Sequence, residues 1–301
     1  MPPLTARCAG SCYPADPQEA LRSFAVALEK VAPLKKILHD LRRPIVPHID
    51  FRVNLDLYAK TYSLWRDKNW FPSRVIILGV GHRCPVELAC LPAGYRTPLG
   101  DVPAAHDLFA NLSAGCPFLN DQETHGFQGE HSIEFVVIWL QALRDLFFPG
   151  RSFTILPILC GGLHQAVETG APPLSTSPES IFAQALARVS QDSGTAIVAS
   201  IDGCHVGPRF QHSYPADKKV RERVAIWEKK LWTLASSEKL PQFFQHLGTN
   251  HNEFYFDGVG VLHTLLAGQN LFAKTHPSVQ WHEPSDQSIV SFSRGHLLPA
   301  S

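Results

Sequence analysis

Three separate apolar, strand-like runs in this chain each end in a histidine. They are Arg43-Pro44-Ile45-Val46-Pro47-His48, Arg74-Val75-Ile76-Ile77-Leu78-Gly79-Val80-Gly81-His82 and Thr195-Ala196-Ile197-Val198-Ala199-Ser200-Ile201-Asp202-Gly203-Cys204-His205. Helical patterns of crossover length separate them. That alternation predicts an α/β fold with a central, mostly parallel or mixed sheet flanked by helices. In such sheets function gathers in the crevice at the carboxyl ends of the strands. Three imidazoles delivered there can converge on one metal or acid–base centre, because imidazole is the commonest protein metal ligand and titrates near neutrality.

The connecting segments carry their own signals. Asp16-Pro17-Gln18-Glu19 opens a helix with a capping aspartate, a proline suited to the first turn and a glutamate at the capping-box position. Leu21, Phe24, Ala25 and Leu28 then recur at helical spacing. Residues 53–70 supply a crossover helix. Residues 89–119 hold Pro92, Pro98, Gly100, Pro103, Gly115 and Pro117 and read as loops with short strands. Further helices are expected at 132–148, 177–189, 216–236 and 258–266, and strands at 153–160 and, last, 288–292. Residues 162–177 read as a surface loop. With no repeat and no convincing linker, residues 1–301 read as a single domain.

Composition excludes several partner classes. Lys+Arg and Asp+Glu both total 27, and no basic block stands out. Nothing therefore draws the chain to nucleic acid or to an anionic membrane. No run approaches the ~18 apolar residues of a membrane span, and the first residues lack the apolar stretch of a secretory signal. Seven cysteines, without C-x-x-C spacing, fit reduced thiols and a cytoplasmic setting. The expected partner is a small-molecule substrate, with a protein partner or homo-oligomer left open.

Several residues around the strand ends suit chemistry. Asp50 stands two positions after His48 as a candidate partner for its ring. Gly79 and Gly81 precede His82 and let backbone approach a ligand closely, although the full Gly-x-Gly-x-x-Gly of a dinucleotide site is missing. Asp202 and His205 can reach one cation, or the aspartate can orient the imidazole; an aspartate-stabilised loop is the plainer alternative. Glu130-His131-Ser132-Ile133-Glu134 begins a helix, where His131 can bind substrate or donate a proton. Two histidines and one carboxylate with open positions characterise non-haem Fe(II) oxygenases. His48 and His82 can supply the imidazoles, while Asp50, Asp202, Glu130 and Asp257 all remain open as the carboxylate.

Six segments occur in order: Ala9-Gly10-Ser11-Cys12-Tyr13-Pro14-Ala15-Asp16-Pro17, Pro47-His48, Gly79-Val80-Gly81-His82, Tyr95-Arg96-Thr97-Pro98-Leu99, Glu130-His131-Ser132-Ile133-Glu134 and Ser200-Ile201-Asp202-Gly203-Cys204-His205. Together they resemble the Memo-like family, whose fold is similar to that of the class III extradiol dioxygenases. The likeness runs from about residue 7 to the C-terminus. It implies that His48 and His82 are metal ligands and that His205 is the acid–base residue, with Asp202 beside it. Memo-like proteins often carry Cys-Gly before the helix near the end, where extradiol enzymes place a glutamate. Here that position is Asp257, followed by Gly258, which restores a carboxylate and completes a His48/His82/Asp257 set. Asp257 suits a helix cap equally well by type.

The resulting expectation is a dioxygenase-like oxidoreductase that uses Fe(II), with zinc and copper as alternative metals. Its catalytic residues would be His205, Asp202 and a pocket-lining His131, and its substrate aromatic or chelating. Two other readings stand beside it. One is a zinc-dependent hydrolase in which Asp202 and His205 join the histidines. The other is a metal-binding or peptide-binding protein without turnover, because Memo-like proteins are linked to signalling and metal handling and fold alone does not license an activity.

Overall fold

Parallel strands covered on both faces need continuous apolar runs, and this chain supplies them. The computed structural model describes residues 1–33, 41–119 and 124–300. The first part of the chain forms β1 (Leu4–Thr5), α1 (Pro17–Glu29), β2 (Pro44–Val46), α2 (Phe51–Asp67) and β3 (Arg74–Val80). Next come β4 (Leu88–Cys90), β5 (Tyr95–Thr97), β6 (Gly100–Val102), α3 (His106–Gly115), α4 (His131–Phe147), β7 (Thr154–Cys160), α5 (His164–Thr169) and α6 (Pro178–Val189). The remainder comprises β8 (Thr195–Ser200), β9 (His205–Val206), α7 (Lys218–Leu234), α8 (Leu240–Gly248), α9 (Val259–Leu266), β10 (Leu271–Thr275), β11 (Val279–Glu283), β12 (Ser288–Phe292) and β13 (Gly295–Pro299).

Among the described residues the central sheet has the order β10-β13-β2-β8-β3-β7-β4. Its middle, β2-β8-β3-β7, is parallel, and β4, β13 and β10 pair antiparallel at the edges. The fold is thus the expected mixed α/β arrangement. Helices α1, α2 and α4 cover one face, where Trp139 packs against Phe24 and Tyr62 with ring centroids 4.8 and 5.9 Å apart. The opposite face carries α3, α6, α7, α8 and α9.

The capping signals hold: Asp16 accepts from Glu19 N at 2.8 Å, and Ser177 Oγ accepts from Ser180 N at 3.3 Å. Elsewhere the structure corrects the expectations. Helix α3 lies in the stretch read as loops; it starts without a side-chain cap and is held by burying Leu108 and Leu112. Helix α5 occupies part of 162–177, bracketed by left-handed Leu163 and Gly170. Strand β12 is not the last, because β13 follows and inserts between β10 and β2. Helix α2 begins at Phe51, since Asp50 caps it by accepting from Arg52 N at 2.8 Å.

One buried histidine gives the fold a pH dependence. His263 in α9 is 1 % exposed, with Nε2 3.4 Å from Ser180 Oγ on α6. Burial pushes its pKa down to about 4. Between pH 6.5 and 4 the unfolded chain then binds a proton that the folded chain refuses, so stability falls as pH drops through that window. The effect is on the order of 3 kcal/mol at most. Urea unfolding from pH 7 to 4 is expected to show a shallower loss for His263→Gln than for the parent; equal losses would acquit His263.

Candidate metal centre

The sheet order brings the strand-end residues together. Strands β2 and β8 run parallel with Val46 opposite Ser200, so His48 and Asp202 leave the sheet side by side. Asp202 Oδ1 accepts from the backbone N–H groups of His48 (2.8 Å) and Ile49 (3.1 Å). Strand β3, on the other side of β8, ends at Val80, two residues before His82. At Gly79 on β3 helix α4 comes close: a Cβ there would stand 2.5 Å from Ser132 Oγ and 2.7 Å from Ile133 Cδ1. The missing side chain lets the start of α4, with His131, settle over the end of β3.

Three imidazoles meet as a result. Ring centroids lie 4.7 Å apart for His82–His131, 5.1 Å for His48–His131 and 5.2 Å for His48–His82. One ring nitrogen from each falls within 4.8 Å of the others, a spacing that can hold a metal ion. Sequence reasoning found all three residues but separated His131 from the other two. Its position at the start of a helix carries no record of which strand that helix crosses.

Neighbouring groups set which nitrogen faces inward. Glu130 Oε1 lies 3.0 Å from His82 Nδ1 and 3.4 Å from His131 Nδ1, and it accepts from Ser132 N at 3.0 Å. A carboxylate on Nδ1 leaves His82 Nε2 for an ion, the arrangement common around metal-ligating histidines. Glu130 therefore both caps α4 and orients the site. His48 Nδ1 lies 3.4 Å from Ser200 Oγ, and its Nε2 is 3.0 Å from Asp257 Oδ2. That approach is an ion-pair contact. His48 Nε2 and both Asp257 carboxyl oxygens are buried without a hydrogen-bond partner. Buried polar atoms held by a single ion-pair contact are costly. A cation would satisfy a ring nitrogen and a carboxylate together.

The remaining expected residues divide. Asp257 does not cap α9; Gly258 stands at that position with no side-chain hydrogen bond. His205 donates from Nδ1 to Tyr255 O at 3.2 Å and packs on Phe210, which leaves Nε2 for proton exchange. Asp202 Oδ1 is taken by the backbone of His48 and Ile49, because β2 and β8 run side by side, and Asp202 and His205 line the same cavity. Asp50 likewise caps α2 and pairs with Arg52 rather than with His48. Tyr255, which holds His205, was not foreseen; a backbone carbonyl contact leaves no mark on residue type.

The description "Memo-like protein" matches residues 5–289. The chain belongs to the Memo-like family. A MEMO1 family protein of Aquifex aeolicus is 28% identical over 252 residues, covering 83% of this chain and 60% of that protein. One from Thermus thermophilus is 31% identical over 207 residues, 68% of this chain and 55% of the relative. Human Protein MEMO1 is 28% identical over 215 residues, 68% of this chain and 64% of the human protein. The chain thus spans less than two thirds of each of these relatives. The crystal structure of an uncharacterised Escherichia coli K12 protein, JW3007, aligns with TM-score 0.43 and 15% identity over 83% of this chain and 98% of that one.

The electrostatics of this Memo-like centre suit a cation. Burial opposes charge on His48, yet Asp202, Asp257 and Glu130 outweigh it and push its pKa up to about 9. Burial likewise works against ionised Glu130, but His82 and His131 hold it down at about 2. His131 is pushed down to about 3 by burial and by the charges of His48 and His82. Burial raises Asp202, while against its own burial His48 holds Asp257 down. A cavity of about 820 Å³ opens above the cluster, lined by His48, His131, Asp202 and His205 on its polar side and by Phe210 and Trp281 on its apolar side.

Proposed function

We propose that this Memo-like chain is a non-haem Fe(II)-dependent dioxygenase-type enzyme acting on an aromatic or chelating small molecule. The observation that supports the reading is the buried His48 Nε2–Asp257 Oδ2 pair, 3.0 Å apart, at the edge of the His48, His82 and His131 cluster. In this reading His48, His82 and Asp257 hold the metal on one face, and the 820 Å³ cavity receives the substrate. Bound Fe(II) supplies Lewis acidity and a route for electrons to O₂. Glu130 fixes the His82 tautomer, and Asp202 fixes the backbone that presents His48. His205, anchored through Nδ1, takes and returns the substrate proton at Nε2. Phe210 and Trp281 exclude water and offer flat apolar surface to a ring.

The test is O₂ uptake by iron-loaded protein across a panel of catechol-like compounds. His205→Ala is expected to keep its metal and to lose at least ~100-fold in turnover, the usual contribution of a general acid–base residue. Loss of metal in that variant would make His205 a ligand and overturn its role.

A second reading draws on His48, His82 and His131 lying together. Three imidazoles with one open position make a zinc site that activates water. Hydrolytic activity that needs zinc and ignores O₂ would select it. Stoichiometric metal with no turnover of either kind would favour a metal-binding or peptide-binding protein.

A further inference from the structure

Two thiols outside the proposed metal set face the same cavity. Cys8 and Cys12 are both free, both half-buried and both part of the wall that includes His131. One tight turn holds them: Cys12 N donates to Cys8 O at 2.8 Å, and Ser11 Oγ donates to the same oxygen at 2.9 Å. A turn closed by this i to i+4 hydrogen bond keeps its end Cα atoms about 6 Å apart, inside the ~4.4–6.8 Å that a disulfide spans. The turn is anchored, because Glu134 on α4 accepts from Arg7 N (2.7 Å), Cys8 N (2.8 Å) and Tyr13 Oη (2.6 Å).

We propose that Cys8 and Cys12 form an oxidisable dithiol in the cavity wall, closed to an intramolecular disulfide by hydroperoxides that enter the cavity. Cys12 is the attacking sulfur. Ser11 Oγ lies 3.8 Å from Cys12 Sγ and can donate to it. The carboxyl group of Glu134 sits at Cys8 and opposes negative charge there. In the first step the Cys12 thiolate attacks one peroxide oxygen. The O–O bond breaks and the other oxygen leaves with a proton as water or alcohol, so Cys12 becomes a sulfenic acid. Cys8 then attacks the Cys12 sulfur. The S–S bond forms, the S–O bond breaks, and the departing hydroxide takes the Cys8 proton as a second water. Two thiols lose two electrons and the peroxide gains them. Burial raises both thiols and keeps the thiolate fraction small, so the first step is slow and calls for excess peroxide.

The step does not depend on a metal at His48, His82 and Asp257, so the experiment uses the full chain after treatment with a chelator. Reduced protein is exposed to excess hydrogen peroxide, alkylated in denaturant and mapped by mass spectrometry. The peptide beginning at Cys8 is expected to lack two hydrogens and carry no alkyl group, and dithiothreitol should restore both thiols. Cys8→Ser should stop at a Cys12 sulfenic acid trapped by dimedone. Alkylation of both cysteines after peroxide would overturn the proposal, as would a disulfide from either one to Cys84. None of these results bears on whether the histidine cluster holds iron.

Discussion

Replacing His82 with alanine is expected to reduce bound metal from about one ion per chain to none. His82 is the better probe than His48, because it is one-third exposed and its loss leaves no deep cavity. Removing His48 would strand Asp202 and Asp257 as like charges in a buried site. The decisive comparison is between Asp257→Ala and His131→Ala in protein purified without chelator or oxygen. Under the facial arrangement, Asp257→Ala loses the ion and His131→Ala retains it. Changes to groups that only support the ligands typically cost ~10–100-fold in affinity, so loss of a ligand should exceed that range. The opposite outcome would assign the ion to the three imidazoles and move the chemistry toward zinc.

Glu134→Ala is expected to destabilise the protein by about 3–4 kcal/mol, taking roughly 1 kcal/mol for each donor left without its acceptor. Those donors are Arg7 N, Cys8 N and Tyr13 Oη, with Tyr95 Oη more loosely at 3.4 Å. The side chain is 0 % exposed, so water cannot replace it without opening the packing around α4. Equilibrium unfolding gives the magnitude, and amide exchange at Arg7 and Cys8 should accelerate more than exchange in β3. A variant of parental stability with unchanged exchange would show that the N-terminal turn is held by packing alone.

Much of the scaffold was legible because its signals are local. Asp16 and Ser177 cap the helices that follow them, and the apolar runs of β3, β7 and β8 mark strands buried on both faces. Helix α3 was not legible, since it has no side-chain cap and its neighbourhood is rich in proline and glycine. Its helicity depends on burying Leu108 and Leu112 against elements far away in the chain.

The candidate site divides along the same line. His48, His82 and His205 were marked in the sequence by the strands they follow, and Asp257 by its place before Gly258. Their number and type determined that a metal or acid–base centre was the chemistry to expect. Which groups actually meet was decided by the order β2-β8-β3 and by the closeness of α4 at Gly79. Those contacts join residues as much as 209 positions apart, as for His48 and Asp257. Capping and strand formation are encoded within a few residues, where backbone geometry is set. Convergence is a property of the packed sheet, and whether an aspartate that suits a cap by type actually caps α9 is decided only by where the helix begins.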